Sequence, residues 1–328
     1  MSVETTLEID NLPGCGLEFL YEDKIQFDTA GNQQDVTLIT LVKDAVFLFP
    51  EDLGDGIYET LTLGSGEQAV DIEGFFLDNT ELNFTNEKPY VIYGYAAVGP
   101  GDELIIDPGA RIHFHKNSGL LVANTASIKA NGIQSQDLEA MEGEIIFESD
   151  RLEPAFEDVP GQWGTIWCTA GSTNNEFSFT TIKNASVGIL MDSNDGDRTL
   201  TLKNTQIYNS ANIGLLARTA NIYGENLVIN NSGQSSLALS LGGTYTFNHC
   251  SFVNYWSNGF RSFPALQIDN GLETENGVIA FELTQANFNN CIIYGSENIE
   301  LGLFPFNGSN DFNVSLNSTL LHFNDINN

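Results

Sequence analysis

The chain is short of positive charge: 12 Lys and Arg stand against 44 Asp and Glu, a formal charge of −32. No basic footprint exists to neutralise phosphates, so nucleic acid is excluded as a partner, and adsorption to anionic lipid is disfavoured for the same reason. The carboxylate excess suits a solvated surface that keeps an extracellular protein soluble; it also supplies hard oxygen ligands of the kind a divalent cation takes. Long apolar runs are missing as well. With no stretch of 18 apolar residues there is no candidate membrane-spanning helix. Met1 is followed by the polar Ser2-Val3-Glu4-Thr5-Thr6 and not by a signal peptide, so the expectation is either a cytoplasmic protein or a chain that begins after a removed leader, and the composition favours the second. The four cysteines, Cys15, Cys168, Cys250 and Cys291, form no C-x-x-C pair, which excludes a zinc knuckle and a dithiol redox motif. Charged residues make up only 17%; uncharged Asn, Ser, Thr and Gly, which suit turns, fill the gap.

What the sequence does have is a repeat. Between about residues 179 and 260, F-T-T-I-K-N-A-S-V-G-I, N-T-Q-I-Y-N-S-A-N-I-G-L, E-N-L-V-I-N-N-S-G-Q-S-S-L and N-H-C-S-F-V-N-Y-W-S-N-G-F lie over one another. Ile182, Ile207, Val228 and Phe252 align, as do Asn184, Asn209, Asn230 and Asn254, the asparagines being 25, 21 and 24 residues apart. A period in the low twenties that opens on β-type residues and turns on Asn and Gly predicts stacked coils, since one coil cannot bury its apolar face without the next. Ile292 resumes the apolar position after residues 261–286, which lack the signature and read as a loop or an irregular double coil. The asparagines read as structural, because a side-chain amide both donates and accepts along a stack. Cys250 and Cys291 fall one register apart in this alignment and read as buried thiols.

The expected fold is all-β: a right-handed parallel β-helix, a pectin-lyase-like solenoid, over 87–328, preceded by a small N-terminal β domain or cap over 1–86. In the latter, I-Q-F-D-T and V-T-L-I-T-L-V-K read as strands around a Gly31-Asn32 turn. Only Asp137–Glu142 looks locally helical, as a loop decoration. The last coil, with Leu320, Leu321 and Phe323, would present an open apolar rung, for which the expectation is continuation of the chain, a docked partner or self-association.

Five ordered phrases carry a resemblance: K-P-Y-V-I-Y-G at 88–94, H-K-N-S-G-L-L-V at 115–122, S-D-R-L-E-P at 149–154, V-P-G-Q-W-G-T-I-W at 159–167 and N-C-I-I-Y-G-S at 290–296. Together they resemble a family of secreted or lipid-anchored right-handed parallel β-helix repeat proteins of Bacteroidota. The resemblance implies that fold and an address at the cell surface or outer membrane, with membrane attachment only through a lipid anchor that this sequence does not contain. It implies no reaction.

Enzymes on this fold set the comparison for catalysis. Glycosidic hydrolysis needs two carboxylates across a groove, and the N-x-D, D-D and G-H-G phrases usual in β-helix hydrolases do not occur here. β-Elimination needs a cationic base beside a neutralised uronate, and the cations of the repeats, Lys183, Lys203, Arg198, Arg218 and Arg261, form no evident pair. No catalytic residue and no cofactor is assigned. The expected function is a non-catalytic binding or scaffold protein, contacting a glycan or another surface protein; the alternative is a polysaccharide lyase or glycoside hydrolase. Three clusters are candidates for chemistry. Asp192, Asn194, Asp195 and Asp197 resemble the start of a calcium loop, but Lys203 stands where an EF-hand needs its Glu, which favours an ordinary acidic turn between coils. Arg111, His113 and His115 alternate onto one strand face, where two histidines suit a transition metal but no third ligand is identifiable. Arg151, Glu153, Asp158, Trp163 and Trp167 combine aromatic platforms with charged edges, as sugar sites do; alternatively, Arg151 ties down a loop while the tryptophans fill the core.

Overall fold

The computed structural model describes residues 18–29, 31–64, 66, 69–192, 198–275, 277–306 and 311–322. The chain divides into two units, Met1–Val46 and Phe47–Asn328. In the first, Glu18–Thr29 pairs antiparallel with Asn32–Lys43 around Gly31, whose φ of 92° is one that glycine adopts without strain.

The second unit is all-β, with most strands in one long and mainly parallel sheet system; among the described residues there is no α-helix, and Pro154–Phe156 forms a 3-10 turn. Its pairings sort into three ladders that the chain visits in cyclic order. The first joins Val70–Phe76, Tyr95–Val98, Gly119–Val122, Ile166–Cys168, Val187–Met191 and their successors to Leu301–Phe304. The second runs from Asn83–Phe84 through Glu103–Ile106 and Ser127–Asn131 to Phe312–Asn317. The third runs from Tyr90–Ile92 through Arg111–Phe114 and Ile145–Ser149 to Ser251–Asn254, Ile292–Gly295 and Leu320–Leu321. This is a solenoid-like arrangement, and it places one residue of each coil beside its counterpart in the next.

Side chains alternate along a strand, so each ladder sends one column inward. In the third ladder that column is Ile112, Phe147, Ile182, Ile207, Ile229, Phe252 and Ile293, all fully buried. Each such side chain contributes about 1.5–3 kcal/mol by leaving water. Where Gly224 interrupts the second ladder's column, the Phe247 ring takes the space: a Cβ at Gly224 would meet it at 2.5 Å. Phe247, Phe252 and Phe288 then pack together with ring centroids 5.1–5.9 Å apart.

The coils turn on left-handed residues. Asn204, Asn226 and Asn290 (φ 48°, 52° and 54°) make the corner between the second and third ladders, and Asn184, Asn209 and Asn231 (65°, 56° and 55°) the corner after the third. Asparagine is the side-chain-bearing residue that most readily takes this conformation, because its short amide bonds locally. Amides then run along each row: Asn209 donates to Asn184 at 3.2 Å, Asn231 to Asn209 at 2.6 Å and Asn226 to Asn204 at 2.8 Å.

The register differs from the sequence alignment by one residue in two coils. Ile229, not Val228, pairs with Ile207 and Phe252, and Val228 is 38% exposed; likewise Ile293 is buried while Ile292 is 39% exposed. Asn231 therefore joins the amide row in place of Asn230, whose side chain only accepts from the next N–H. V-I-N-N satisfies the apolar–Asn pattern in two frames, C-I-I-Y offers two adjacent apolar residues with no Asn to choose between them, and a one-residue slip moves a side chain to the opposite face. Asn254 is buried and structural by other bonds: its amide donates to the carbonyls of Ser232 and Gln234.

Two boundaries also shift. Parallel pairing includes Val70–Phe76 and Asn83–Phe84 and reaches Leu48, which accepts from the Tyr93 N–H, so stacking begins well before residue 87; these early strands lack the Asn corners that mark the repeat. The segment 261–286 is one coil, with Leu266–Asp269 in the first ladder and an antiparallel hairpin, Gly271–Thr274 with Gly277–Ala280, projecting from it. The Asp137–Glu142 stretch is a single turn with its N–H groups capped by Asp137. Leu320 is 55% exposed and Leu321 partly covered, while Phe323 lies outside the described residues.

Candidate functional site

The outward column of the third ladder holds the concentration of polar chemistry. Following the pairing, His113, Glu148, Lys183, Tyr208 and Asn230 succeed one another, each one residue after a buried member of the inward column. Glu148 is the hinge of this row: it bonds the Lys183 ammonium at 2.8 Å and lies 3.7 Å from the His113 Nδ1. Burial pulls the Lys183 pKa down, but its hydrogen bond to and the charge of Glu148 outweigh that and hold it above the ordinary lysine range. Burial raises the Tyr208 pKa, with Lys183 opposing and the nearby carboxylates reinforcing. Burial lowers that of His113, against the pull of Glu148. At neutral pH the row thus presents an ammonium, a phenol and a neutral imidazole.

Two long connections rise beside this column, both after third-ladder strands: 150–162 follows Ile145–Ser149, and 255–265 follows Ser251–Asn254. The coils between them turn tightly on Asn184, Asn209 and Asn231. Low corners between two raised loops leave a cavity of about 580 Å³, floored by Gln206, Tyr208, Asn209 and Asn230 and walled by Asp158 on one side and Tyr255, Ser257 and Asn258 on the other. A smaller one of about 220 Å³ adjoins it in sequence, between Glu148, Lys183, Arg151, Glu153 and Glu157. The amide row braces the first wall: Asn184 donates to the Glu157 carbonyl at 2.8 Å and Asn209 to the Asp158 carboxylate at 3.2 Å. The second wall is anchored from below by Arg261, which bonds the carbonyls of Asn254 and Phe263 and pairs with the buried Glu300 at 2.7 Å.

The structure separates the five residues of the predicted sugar cluster. Arg151 and Glu153 line the smaller cavity, paired at 3.2 Å, with the Arg151 guanidinium 3.7 Å over the Phe156 ring; Asp158 lines the larger one. Trp163 is only 1% exposed, stacked on Phe114 at 4.3 Å and donating to the Lys183 carbonyl, so it belongs to the core. Trp167 lies on the first ladder in an apolar cluster with Leu61, Ala97 and Leu121, its indole N–H donating to Asp192 at 2.7 Å. The other Asp192 oxygen meets Arg218 at 2.6 Å, which leaves that carboxylate structurally engaged. Asn194, Asp195 and Asp197 lie outside the described residues. Among the described residues no group of three or more His, Cys, Asp or Glu could hold a metal ion. His113 and His115 share a face as predicted, but bond separately, to the Ser149 carbonyl at 3.2 Å and to Asp150 at 2.7 Å. Arg111 ties the neighbouring loop through the carbonyls of Met141 and Glu144.

Sequence reasoning passed over Glu148, Tyr208 and Tyr255. A signal existed for the first two, each directly following a residue of the inward column; Tyr255 carries none, because its place depends on a loop path.

Comparison with protein-family models, curated proteins and solved structures found no match to the chain.

Proposed function

We propose that the coils form a right-handed parallel β-helix whose third face is a non-catalytic binding surface for an uncharged, hydroxyl-rich chain, a neutral glycan segment presented outside the cell. The handedness rests mainly on the resemblance, with loose support from the rule for parallel strands joined by crossovers. The address at the cell surface, in a lipid-anchored Bacteroidota-type protein, follows the resemblance and the acidic composition. The observation that carries the reading is the lining of the larger cavity. Amides, the Ser257 hydroxyl, two phenol rings and the Val228 side chain, with a single carboxylate, match a ligand that offers hydroxyl groups on its edges and C–H faces to apolar and aromatic groups. Asp158 in the larger cavity and Glu148, Glu153 and Glu157 around the smaller one repel a polyuronate. An elimination base is not poised, since Lys183 is bound to Glu148 and Tyr208 keeps its proton, so binding is favoured over lyase chemistry.

The test is titration calorimetry with neutral oligosaccharides and with oligogalacturonate, on the wild type and on Tyr208→Ala and Tyr255→Ala. Neutral chains are expected to bind, with a loss of about tenfold or more in each variant, the effect of removing a buried aromatic contact of roughly 1.4 kcal/mol. Chain cleavage that survives repurification and dies in Lys183→Met would establish the lyase or hydrolase alternative. Failure of every glycan to bind would leave a protein partner or a scaffold role in its place.

A further inference from the structure

Two thiols meet across neighbouring coils, apart from the binding face. Cys250 and Cys291 immediately precede the paired residues Ser251 and Ile292, and the Ile292 N–H donates to the Cys250 carbonyl at 2.9 Å. They are therefore in register, not one register apart; the same slip that exposes Ile292 brings them together. Both are buried and free. Each Sγ reaches a carbonyl of its own turn, Cys250 that of Asn248 at 3.2 Å and Cys291 that of Asn289 at 3.4 Å, and the Cys291 Sγ also lies 3.5 Å from the carbonyl of Phe247, just before the turn that carries Cys250. The residues before them, His249 and Asn290, have matching φ of 55° and 54°, so both coils take the corner alike and aim their thiols the same way. Neighbouring strands hold opposed Cα atoms about 4.8 Å apart, inside the roughly 4.4–6.8 Å span of disulfides; the Cβ atoms must close by about 1 Å.

We propose that Cys250 and Cys291 are a redox modification site that closes to an intramolecular disulfide by exchange with a small disulfide of the glutathione class. The neighbouring Cys250 thiol holds the pKa of Cys291 down, while Cys291 and burial push that of Cys250 up, so Cys291 attacks first. It gives its proton to solvent, and its sulfur displaces one small thiolate from the oxidant to make a mixed disulfide. Cys250 then loses its proton, attacks the Cys291 sulfur and expels the second small thiolate. The two released thiolates take up the two protons: two protein thiols lose two electrons, and one small disulfide becomes two thiols. Cys168 does not compete, because it sits on another ladder with its thiol pushed up to about 12 by burial. The bond would enclose 251–290, the segment that carries Tyr255, Ser257 and Asn258 of the cavity wall, and would fix both ends of that excursion to one corner.

The full chain is incubated with oxidised and reduced glutathione at pH 8.5, alkylated, digested and mapped by mass spectrometry, with melting followed in parallel. A Cys250–Cys291 linked peptide is expected as the main disulfide. With it should come a Tm about 5–10 °C above that of the dithiothreitol-treated protein, a gain absent from Cys250→Ser. Should burial slow the reaction, unfolding and refolding in the same buffer removes that barrier. Both cysteines still alkylated after refolding, or linkage mainly to Cys15 or Cys168, would overturn the proposal.

Discussion

Arg261→Ala should cost more than any surface substitution on the chain, and the reason can be counted in bonds. Arg261 and Glu300 are a buried pair with side chains 2% and 0% exposed. The guanidinium donates to both carboxylate oxygens, at 2.9 and 2.7 Å, and to the Phe263 and Asn254 carbonyls. Glu300 also accepts from the backbone N–H of Ala265 at 2.7 Å and of Glu297 at 2.8 Å. Truncating Arg261 leaves the carboxylate in the interior with only those two backbone donors and takes the guanidinium from the Phe263 carbonyl, while the Asn254 carbonyl keeps the Ser296 N–H at 3.1 Å. Two charge-assisted bonds lost at about 1.5–3 kcal/mol each give about 3–6 kcal/mol, which overlaps the range of about 3–5 kcal/mol for breaking a buried pair from one side. Glu300→Gln keeps the shape and half the acceptors, so it should cost less, about 2 kcal/mol. Arg261→Met with Glu300→Leu should cost less than the sum of the two single losses, because no unpaired charge remains. Urea unfolding of the four proteins, with amide exchange at Ala265 as the local probe, makes the measurement. A loss below about 1 kcal/mol in Arg261→Ala, with Ala265 protection unchanged, would refute the view that this pair anchors the 255–265 wall.

Asn209→Ala should lose about 3 kcal/mol, through its amide bonds to Asn184 and Asn231 and the backbone cost of a Cβ residue in the left-handed region; Asn209→Gly should recover the backbone part in the same denaturation assay. Ile229→Asp should unfold its coils, costing more than about 4 kcal/mol, while the half-exposed Val228→Asp should cost under about 1 kcal/mol, a pair that tests the register by circular dichroism alone. Burial lowers the folded His113 pKa below 6.5, so the unfolded chain takes up the proton first. The stability this contributes is complete above about pH 6.5 and is lost as pH falls through the folded value, so the Tm of the wild type should drop between pH 7.5 and 5.5 more than that of His113→Gln.

How much of this was legible depended on the length scale of the signal. The repeat between Asn184 and Asn254 was visible because its cause is local: a corner that needs a left-handed residue selects Asn, and the inward column selects Ile and Phe, so period and polarity both reach the sequence. The frame within a coil was less visible, because Val228-Ile229 and Ile292-Ile293 offer two apolar residues to one inward place, and only the fixed pairing with Phe252 decides between them. The start of stacking was hidden for a related reason: Val70–Phe76 and Asn83–Phe84 pair in parallel without the Asn corners. The site was hardest. Trp163 and Tyr255 are both aromatic residues near a loop, yet one fills the core against Phe114 and the other walls a cavity. That difference is set by how 150–162 and 255–265 leave the coils, and their course is fixed by long-range bonds such as Asn184 to the Glu157 carbonyl and Arg261 to Glu300. Residues 27 and 39 apart in sequence make those bonds, and neither spacing is a multiple of the repeat. A binding face assembled between irregular loops on a regular scaffold thus leaves its strongest sequence trace in the scaffold, and residues such as Glu148 and Tyr208, which sit on the scaffold and face the cavities, become readable once the inward column beside them is in the right frame.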